Sequence, residues 1–175
     1  MIPVLKHFPG EGAASGNTDD RAASTPPFTE LAGYELLPFE AAIRSGALAV
    51  MVGNAMVPGL TDRPASLSPA VITGLLRDRL GFQGLVLTDS LSAKAVSGLG
   101  IGVPEAAVEA VAAGADMVLF NSTAPNATFG QVVQALVTAV RAGRISEEQL
   151  GASVARVLAV RGIDLCRSTA TRRLG

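Results

Sequence analysis

The sequence predicts an α/β protein whose strands form one parallel sheet. Four short, almost wholly apolar segments alternate with segments in which apolar residues recur at helical spacing. Strands that alternate with helices in this way are typical of βα units. The segment Leu85-Val86-Leu87-Thr88 lacks the polar–apolar alternation of a half-exposed strand, which indicates a buried parallel strand. Four such units correspond to half of an eight-stranded barrel or to a small doubly wound sheet.

Composition restricts the class of protein. The 175 residues are 49% hydrophobic and only 4% aromatic, so we expect a core built from Ala, Val and Leu. The formal net charge is −1. The sequence has no basic stripe with interleaved aromatic residues, so nothing in it indicates nucleic-acid binding. The chain has one cysteine, Cys166, and one histidine, His7. An internal disulfide, a cysteine zinc cluster and a multi-histidine metal site are therefore excluded, and we expect no cofactor.

The ends and the hydropathy of the chain are compatible with more than one cellular compartment. No segment is apolar for long enough to span a bilayer, and no signal peptide is visible. The chain enters a strand almost at once, which suggests a piece of a longer protein. Both a cytoplasmic and a secreted or cell-envelope location therefore stay compatible with the sequence.

The first βα unit contains an unusually long connection. The first strand is predicted at about residues 2–8, and residues 9–33 follow it with no apolar periodicity. A loop of this length in a compact domain is usually functional or disordered. Apolar residues at helical spacing predict the first helix within residues 34–45, and Gly46 ends it. Residues 47–52 are predicted as the second strand.

The remaining elements continue the alternation. Ser68 is predicted to cap a helix because proline follows it at the favoured first helical position. Ser146 is predicted to cap the last helix, which has acidic residues in its first turn. Residues 1–165 are expected to form one domain and residues 166–175 a disordered tail. The predicted elements are a helix from Pro69 to Gly81, a strand at 85–88, a helix from Pro104 to Gly114, a strand at 116–120, and helices at 129–142 and 147–161.

Asp89 stands at the end of the third strand, in the segment Leu85-Val86-Leu87-Thr88-Asp89-Ser90. The C-terminal ends of parallel strands are where α/β proteins bind ligands and carry out chemistry. Asp89 is therefore a candidate nucleophile, base or metal ligand. The local pattern alone favours a second interpretation, in which Asp89 is the N-cap of the next helix.

Two hydrogen-bond donors, Lys6 and His7, end the first strand. They suit the hydroxyl groups of a sugar, although the local pattern alone favours a structural role for both. A glycine-rich segment at residues 98–102 precedes a helix and is compatible with phosphate binding. Its glycine spacing differs, however, from the dinucleotide-binding fingerprint.

Seven segments follow one another in a specific order and spacing. They are Lys6-His7-Phe8-Pro9-Gly10 with Gly12, Leu36-Leu37-Pro38-Phe39, Ala49-Val50-Met51-Val52, Pro64-Ala65-Ser66-Leu67-Ser68-Pro69, Leu80-Gly81-Phe82-Gln83-Gly84, Thr88-Asp89-Ser90-Leu91 and Ala112-Ala113-Gly114-Ala115-Asp116. Together they resemble glycoside hydrolase family 3, specifically its β-N-acetylhexosaminidase branch, over about residues 3–163. The resemblance implies a (β/α)8 barrel of the TIM type, of which this chain holds the last four βα units and a C-terminal helix.

The resemblance also implies an activity and its residues. The expected reaction is the hydrolysis, with retention, of terminal β-linked N-acetylglucosamine, as found in peptidoglycan or chitin fragments. The aspartate that matches Asp89 is the family's nucleophile, which forms a glycosyl-enzyme intermediate. The residues that match Lys6 and His7 bind sugar hydroxyls. We expect Asn54, just after the second strand, to join them as a substrate-binding residue.

The acid/base is where the sequence departs from the family. This branch usually uses a histidine in the loop after the first motif, paired with an aspartate, but residues 9–33 contain no histidine. Asp19 and Asp20 are the candidates for this role, and the alternative is a mobile flap without an acid. Glu11 stands where the family often has another histidine.

Two other functions stay open at this point. One is a non-catalytic half-barrel that at most binds sugar, and the other is a small phosphate-binding α/β enzyme. Four strands cannot close a barrel with a filled interior, which takes about eight, so we expect self-association through the open sheet edges. We also expect negligible activity from this chain alone, because the family's sugar-gripping arginine and aspartate precede the matching region.

Overall fold

The computed structural model describes residues 1–163, so the predicted tail at residues 166–175 and the end of the predicted domain at residue 165 lie outside them. Strands and helices alternate as the sequence predicts. The strands are β1 (Val4–Phe8), β2 (Ala49–Val52), β3 (Leu85–Ser90) and β4 (Met117–Leu119). The α-helices are α1 (Phe28–Leu31), α2 (Leu37–Arg44), α3 (Lys94–Ser97), α4 (Val103–Ala112), α5 (Pro125–Arg141) and α6 (Glu147–Val160), with a 3-10 turn at Ala65–Leu67 and a π-helix at Ala70–Arg79.

The four strands form one parallel sheet in the order β1-β2-β3-β4, which is their order along the chain. In the register of the sheet, Val50 of β2 pairs with Leu5 of β1 and with Val86 of β3. A parallel pair needs a crossover connection, and each crossover here carries helical residues. The parallel α/β class predicted from the sequence is therefore confirmed. Within the described residues the sheet is open, with β1 and β4 as its edges.

The hydrophobic core packs against the central strands. Val50, Val52 and Val86 are fully buried there. The edge strands are covered on one face only: Val4 is 39% exposed and Leu119 is 43% exposed. Both positions alternate with residues that contact the core, in line with the expectation that the first and fourth strands form open edges of the sheet. The large core side chains come from the strands and from the helices and loops that cover them, and they include Phe8, Leu31, Leu36, Ile72, Leu76, Phe82 and Leu91.

The long connection at residues 9–33 is held in place by backbone hydrogen bonds. Thr25 N donates to Met56 O at 2.9 Å, and Met56 N donates to Ala23 O at 2.9 Å, just after β2. Ala95 N of α3, after β3, donates to Thr18 O at 3.0 Å. The connection therefore lies across the C-terminal ends of the strands.

Three predicted features differ in detail from the structure. The third strand continues through Asp89 to Ser90, where the sequence predicted a loop. The second predicted helix is a π-helix without a side-chain cap. At its start the Ser68 carbonyl oxygen, and not the Ser68 hydroxyl group, accepts a hydrogen bond from Ile72 N at 2.9 Å. Helix α5 begins at Pro125 rather than near residue 129, since proline suits a first helical position. The Ser146 cap is confirmed by its bond from Gln149 N at 3.0 Å.

A buried charge cluster joins three elements near the start of β4. The Asp116 side chain has no solvent exposure. Its Oδ2 accepts from Arg77 Nη2 of the π-helix at 2.7 Å and from Val86 N of β3 at 2.8 Å, while its Oδ1 accepts from Arg156 Nη1 of α6 at 2.9 Å. Burial lowers the pKa of Arg77, and the charge of Asp116 opposes that shift. This Asp116 cluster attaches α6, the last of the described helices, to the sheet.

No helix within residues 1–163 is both long and apolar enough to cross a membrane.

Candidate active site

The C-terminal ends of β1 and β3 bring three predicted site residues together. Lys6 and His7 lie near the end of β1 and Asp89 lies near the end of β3, with β2 between these strands. His7 Nε2 is 3.8 Å from Asp89 Oδ2. Parallel strands place their carboxyl ends at the same edge of a sheet, so residues more than 80 positions apart meet there.

Asp89 belongs to the sheet and not to a helix terminus. Its side chain is 20% exposed, and its Oδ1 accepts from Ser90 N at 2.8 Å. The next helix, α3, begins at Lys94 with Ala93 as its N-cap. The alternative interpretation of Asp89 as a helix cap is therefore wrong, and its second oxygen is available at the site.

A third residue, Glu11, completes this group. Glu11 Oε2 lies 3.9 Å from His7 Nδ1, and Oε1 accepts from Ala55 N at 2.9 Å. Burial raises the pKa of Glu11, a shift that the Ala55 amide and His7 oppose and that the charge of Asp89 reinforces. The sequence indicated only that Glu11 replaces a histidine. Its spacing of four residues from His7, across Pro9-Gly10, is the signal that could have identified it.

These side chains line a cavity of about 280 Å³, close to the lower end of the range for ligand pockets, about 300–1,000 Å³. An amine, an imidazole and carboxylates surround it, so it suits a ligand with many hydroxyl groups. The lining residues are Lys6, His7, Glu11, Ala14, Gly16, Asn17, Thr18, Asp19 and Asp89. A larger cavity of about 570 Å³ adjoins it at the β1 edge of the sheet and shares Lys6, His7 and Glu11.

The other predicted site residues differ in placement. Asp19 is exposed and lines the smaller cavity, whereas Asp20 is exposed, accepts from Asn17 Nδ2 at 3.0 Å and is absent from the lining. Asn54 is fully buried. Its Nδ2 donates to Ser90 O at 2.9 Å and its Oδ1 accepts from Ser66 Oγ at 2.6 Å. The placement of Asn54 therefore gives no support to the expected sugar contact.

Comparisons with known proteins agree with the fold. The family model described as the glycosyl hydrolase family 3 N terminal domain matches residues 1–160. Beta-hexosaminidase LpqI of Mycobacterium tuberculosis is 39% identical over 168 residues, which are 93% of this chain and 42% of that protein. A crystal structure of a family 3 glycosyl hydrolase from Mycobacterium smegmatis is 42% identical with a TM-score of 0.84, over 91% of this chain and 48% of that one.

A second solved structure extends the comparison. It is a glycoside hydrolase family 3 beta-N-acetylglucosaminidase from a Paenibacillus species, 38% identical with a TM-score of 0.85. The match covers 99% of this chain and 33% of that one. The chain thus spans less than half the length of each of these relatives.

Proposed function

The chain belongs to the glycosyl hydrolase family 3 N-terminal domain family, and on that premise we propose that it carries the nucleophile side of the active site of a retaining β-N-acetylhexosaminidase. The observation that supports this proposal most directly is the 3.8 Å approach of His7 Nε2 to Asp89 Oδ2 in a polar cavity. The proposed substrate class is a glycan with a terminal β-linked N-acetylglucosamine, in keeping with the names of the relatives.

In the proposed reaction, a carboxylate oxygen of Asp89 attacks the anomeric carbon and forms an ester to the sugar, while the bond to the leaving oxygen breaks. That oxygen departs with a proton from a general acid. Water then attacks the anomeric carbon and releases the sugar with its original configuration. Lys6 and His7 donate hydrogen bonds to hydroxyl groups of the sugar. Such positioning lowers the barrier by holding the anomeric carbon close to Asp89.

The acid is proposed from the loop across the strand ends. Of the two aspartates that the sequence suggested, Asp19 lines the cavity and Asp20 does not, so Asp19 is the better placed. Hydrogen bonds from α3 hold this stretch of the loop, since Lys94 N donates to Asp19 O at 3.3 Å. The loop is therefore anchored next to the nucleophile.

A second candidate function is sugar binding without catalysis. The observation that favours it is the length of the match, because the relatives contain at least as much chain again as this one covers. Family membership, by contrast, removes the reason for the phosphate-binding alternative. The glycines on which that alternative depended lie between α3 and α4 and do not line the cavity with Asp89.

The test uses an activated aryl N-acetylglucosaminide, whose good leaving group reduces the need for an acid. Residues 1–163 replace the matching segment of the Mycobacterium smegmatis relative, and this chimera is compared with the chain alone. We expect turnover by the chimera, negligible turnover by the chain, and a loss of at least about 10³-fold in the Asp89→Asn chimera, because an amide cannot form the ester.

The matched control is Asp78→Asn, an exposed carboxylate that is absent from the cavity with Asp89. It should leave turnover unchanged. If the Asp89→Asn chimera hydrolyses the aryl glycoside as fast as the unmodified chimera, Asp89 is not the nucleophile. Binding of N-acetylglucosamine without turnover by the chimera would instead favour the non-catalytic function.

A further inference from the structure

Glu11 is a carboxylate at the site for which the proposed reaction gives no role. Its side chain is only 15% exposed, and it lines both cavities that meet at the end of β1. A buried carboxylate is costly unless it is hydrogen-bonded or faces an opposite charge. The surroundings of Glu11 provide both, and they show what this side chain does.

The Glu11 carboxylate is fixed in one orientation by the backbone that follows β2. Ala55 N donates to Oε1 at 2.9 Å. The carboxylate also lies against Gly53, where an added Cβ would overlap Oε1. With Oε1 held by the amide, Oε2 is directed at His7 Nδ1, 3.9 Å away. This separation is longer than a direct hydrogen bond, and such contacts in unliganded sites often shorten when a ligand binds.

The His7 imidazole therefore has a carboxylate at each nitrogen. Nδ1 faces Glu11 at 3.9 Å and Nε2 faces Asp89 at 3.8 Å. An ionised carboxylate only accepts hydrogen bonds, so a ring nitrogen that interacts with one carries a proton, and for Nδ1 that carboxylate is Glu11. We propose that Glu11 is a positioning residue that holds the His7 ring through a proton on Nδ1, so that Nε2 points at Asp89 and the sugar. The role rests on the proposed function of the site, but its test does not require hydrolysis.

The interaction of the Glu11 carboxylate with the His7 ring depends on pH. Burial raises the pKa of Glu11 above its ordinary value of 4.5, so this carboxylate takes up its proton earlier than an exposed glutamate as the pH falls. Once protonated, it no longer attracts the imidazole as an anion. The other charged groups that line the cavities with His7 are Lys6, Asp19, Glu35 and Asp89.

The experiment reads the protonation of the ring nitrogens directly. His7 is the only histidine of the chain, so its side-chain ¹⁵N signals need no assignment among several rings. We expect a protonated Nδ1 at neutral pH in the unmodified chain. In Glu11→Gln, the amide oxygen accepts from Ala55 N and the NH₂ group faces the ring, so Nδ1 becomes an acceptor and loses its proton. Glu35→Gln, which changes a neighbouring carboxylate with no bond to His7, should leave the pattern unchanged.

Retention of the Nδ1 proton in folded Glu11→Gln, or its absence from the unmodified chain, would overturn the proposal. If Glu11→Gln fails to fold, a pH titration of the unmodified chain decides. The His7 ring signals should then show an additional inflection above pH 4.5, and a single inflection would count against the role of Glu11. A chimera without hydrolytic activity would refute the proposed function and leave the ring measurement standing.

Discussion

Replacement of Asp116 by asparagine should lower the free energy of unfolding more than any surface substitution. Asparagine has the same shape, so it leaves the packing in place, removes the negative charge and replaces one acceptor oxygen by an NH₂ donor. Asp116 is fully buried and is the common partner of Arg77 and Arg156. Without its charge, the two guanidinium groups of the Asp116 cluster have no counter-charge. The hydrogen bond from Val86 N can then be accepted only by the single amide oxygen of the asparagine.

The magnitude follows from the exposure of the two arginines. Removing one partner of a buried ion pair costs about 3–5 kcal/mol, because it leaves an uncompensated charge in a medium of low dielectric constant. Arg77 is only 11% exposed, so nearly the full free-energy cost of an uncompensated charge applies to it. Arg156 is 29% exposed, and hydration of its guanidinium group offsets part of the cost. The remaining amide oxygen still accepts one hydrogen bond. We therefore expect a loss of about 3 kcal/mol, at the lower end of that range.

Equilibrium unfolding in urea measures this loss as a lower midpoint at an unchanged slope, which separates a change in stability from a change in compactness. Asp78→Asn, on the exposed side of the π-helix, is the control and should stay within about 0.5 kcal/mol. A loss below about 1 kcal/mol in Asp116→Asn would show that the cluster contributes no more than a surface ion pair, and the reasoning from burial would fail.

Three further outcomes are expected. The raised pKa of Glu11 means that the folded state binds its proton more tightly than the unfolded state. Its stabilising contribution is thus present below pH 4.5 and lost as the pH rises through the folded pKa. In thermal melts, the stability of Glu11→Gln relative to the unmodified chain should therefore increase as the pH rises through the folded pKa of Glu11. A difference in melting temperature that does not change with pH would contradict this. Gly53→Ala should cost about 1–3 kcal/mol in urea unfolding and displace the Glu11 carboxylate, because the new methyl group overlaps it. Sedimentation of the chain alone should show dimers or larger species, since Val4 and Leu119 leave apolar surface open at both sheet edges; a stable monomer would show that the open sheet is tolerated.

The part of the site that could be predicted from sequence is the part that depends on strand order. Lys6, His7 and Asp89 each end an apolar segment, and in a parallel sheet such ends share one edge, so their meeting follows from the alternation of strands and helices. Asn54 also follows its strand as predicted. Its side chain nevertheless turns into the protein, toward Ser66 and Ser90, and the direction of a loop side chain has no periodic pattern to reveal it.

The position of Glu11 at the site could not be predicted from the sequence for a related reason. Its burial and orientation depend on Ala55 N and on the space beside Gly53, both more than 40 positions further along the chain. Contacts of this kind arise only when the loop after β1 meets the loop after β2. Likewise, Ser68 has the sequence context of a helix cap, but hydrogen bonding in the π-helix uses its carbonyl in place of its hydroxyl. Local propensity alone therefore predicted the elements better than their termini.

The order of the strands in the sheet has a consequence for how the chain acquires its structure. Within residues 1–163, each strand pairs with the strands next to it in sequence. Every such pairing closes a short stretch of chain, and short closures are the least costly in entropy and the fastest to form. A chain emerging from the ribosome could therefore add β2 to β1, then β3, then β4, without waiting for a distant partner. Helix α6 is synthesised last of the described elements, and its Arg156 would find Asp116 already paired with Arg77. Arrival of this helix would thus add a second guanidinium group to Asp116 and attach α6 to four strands that have already paired.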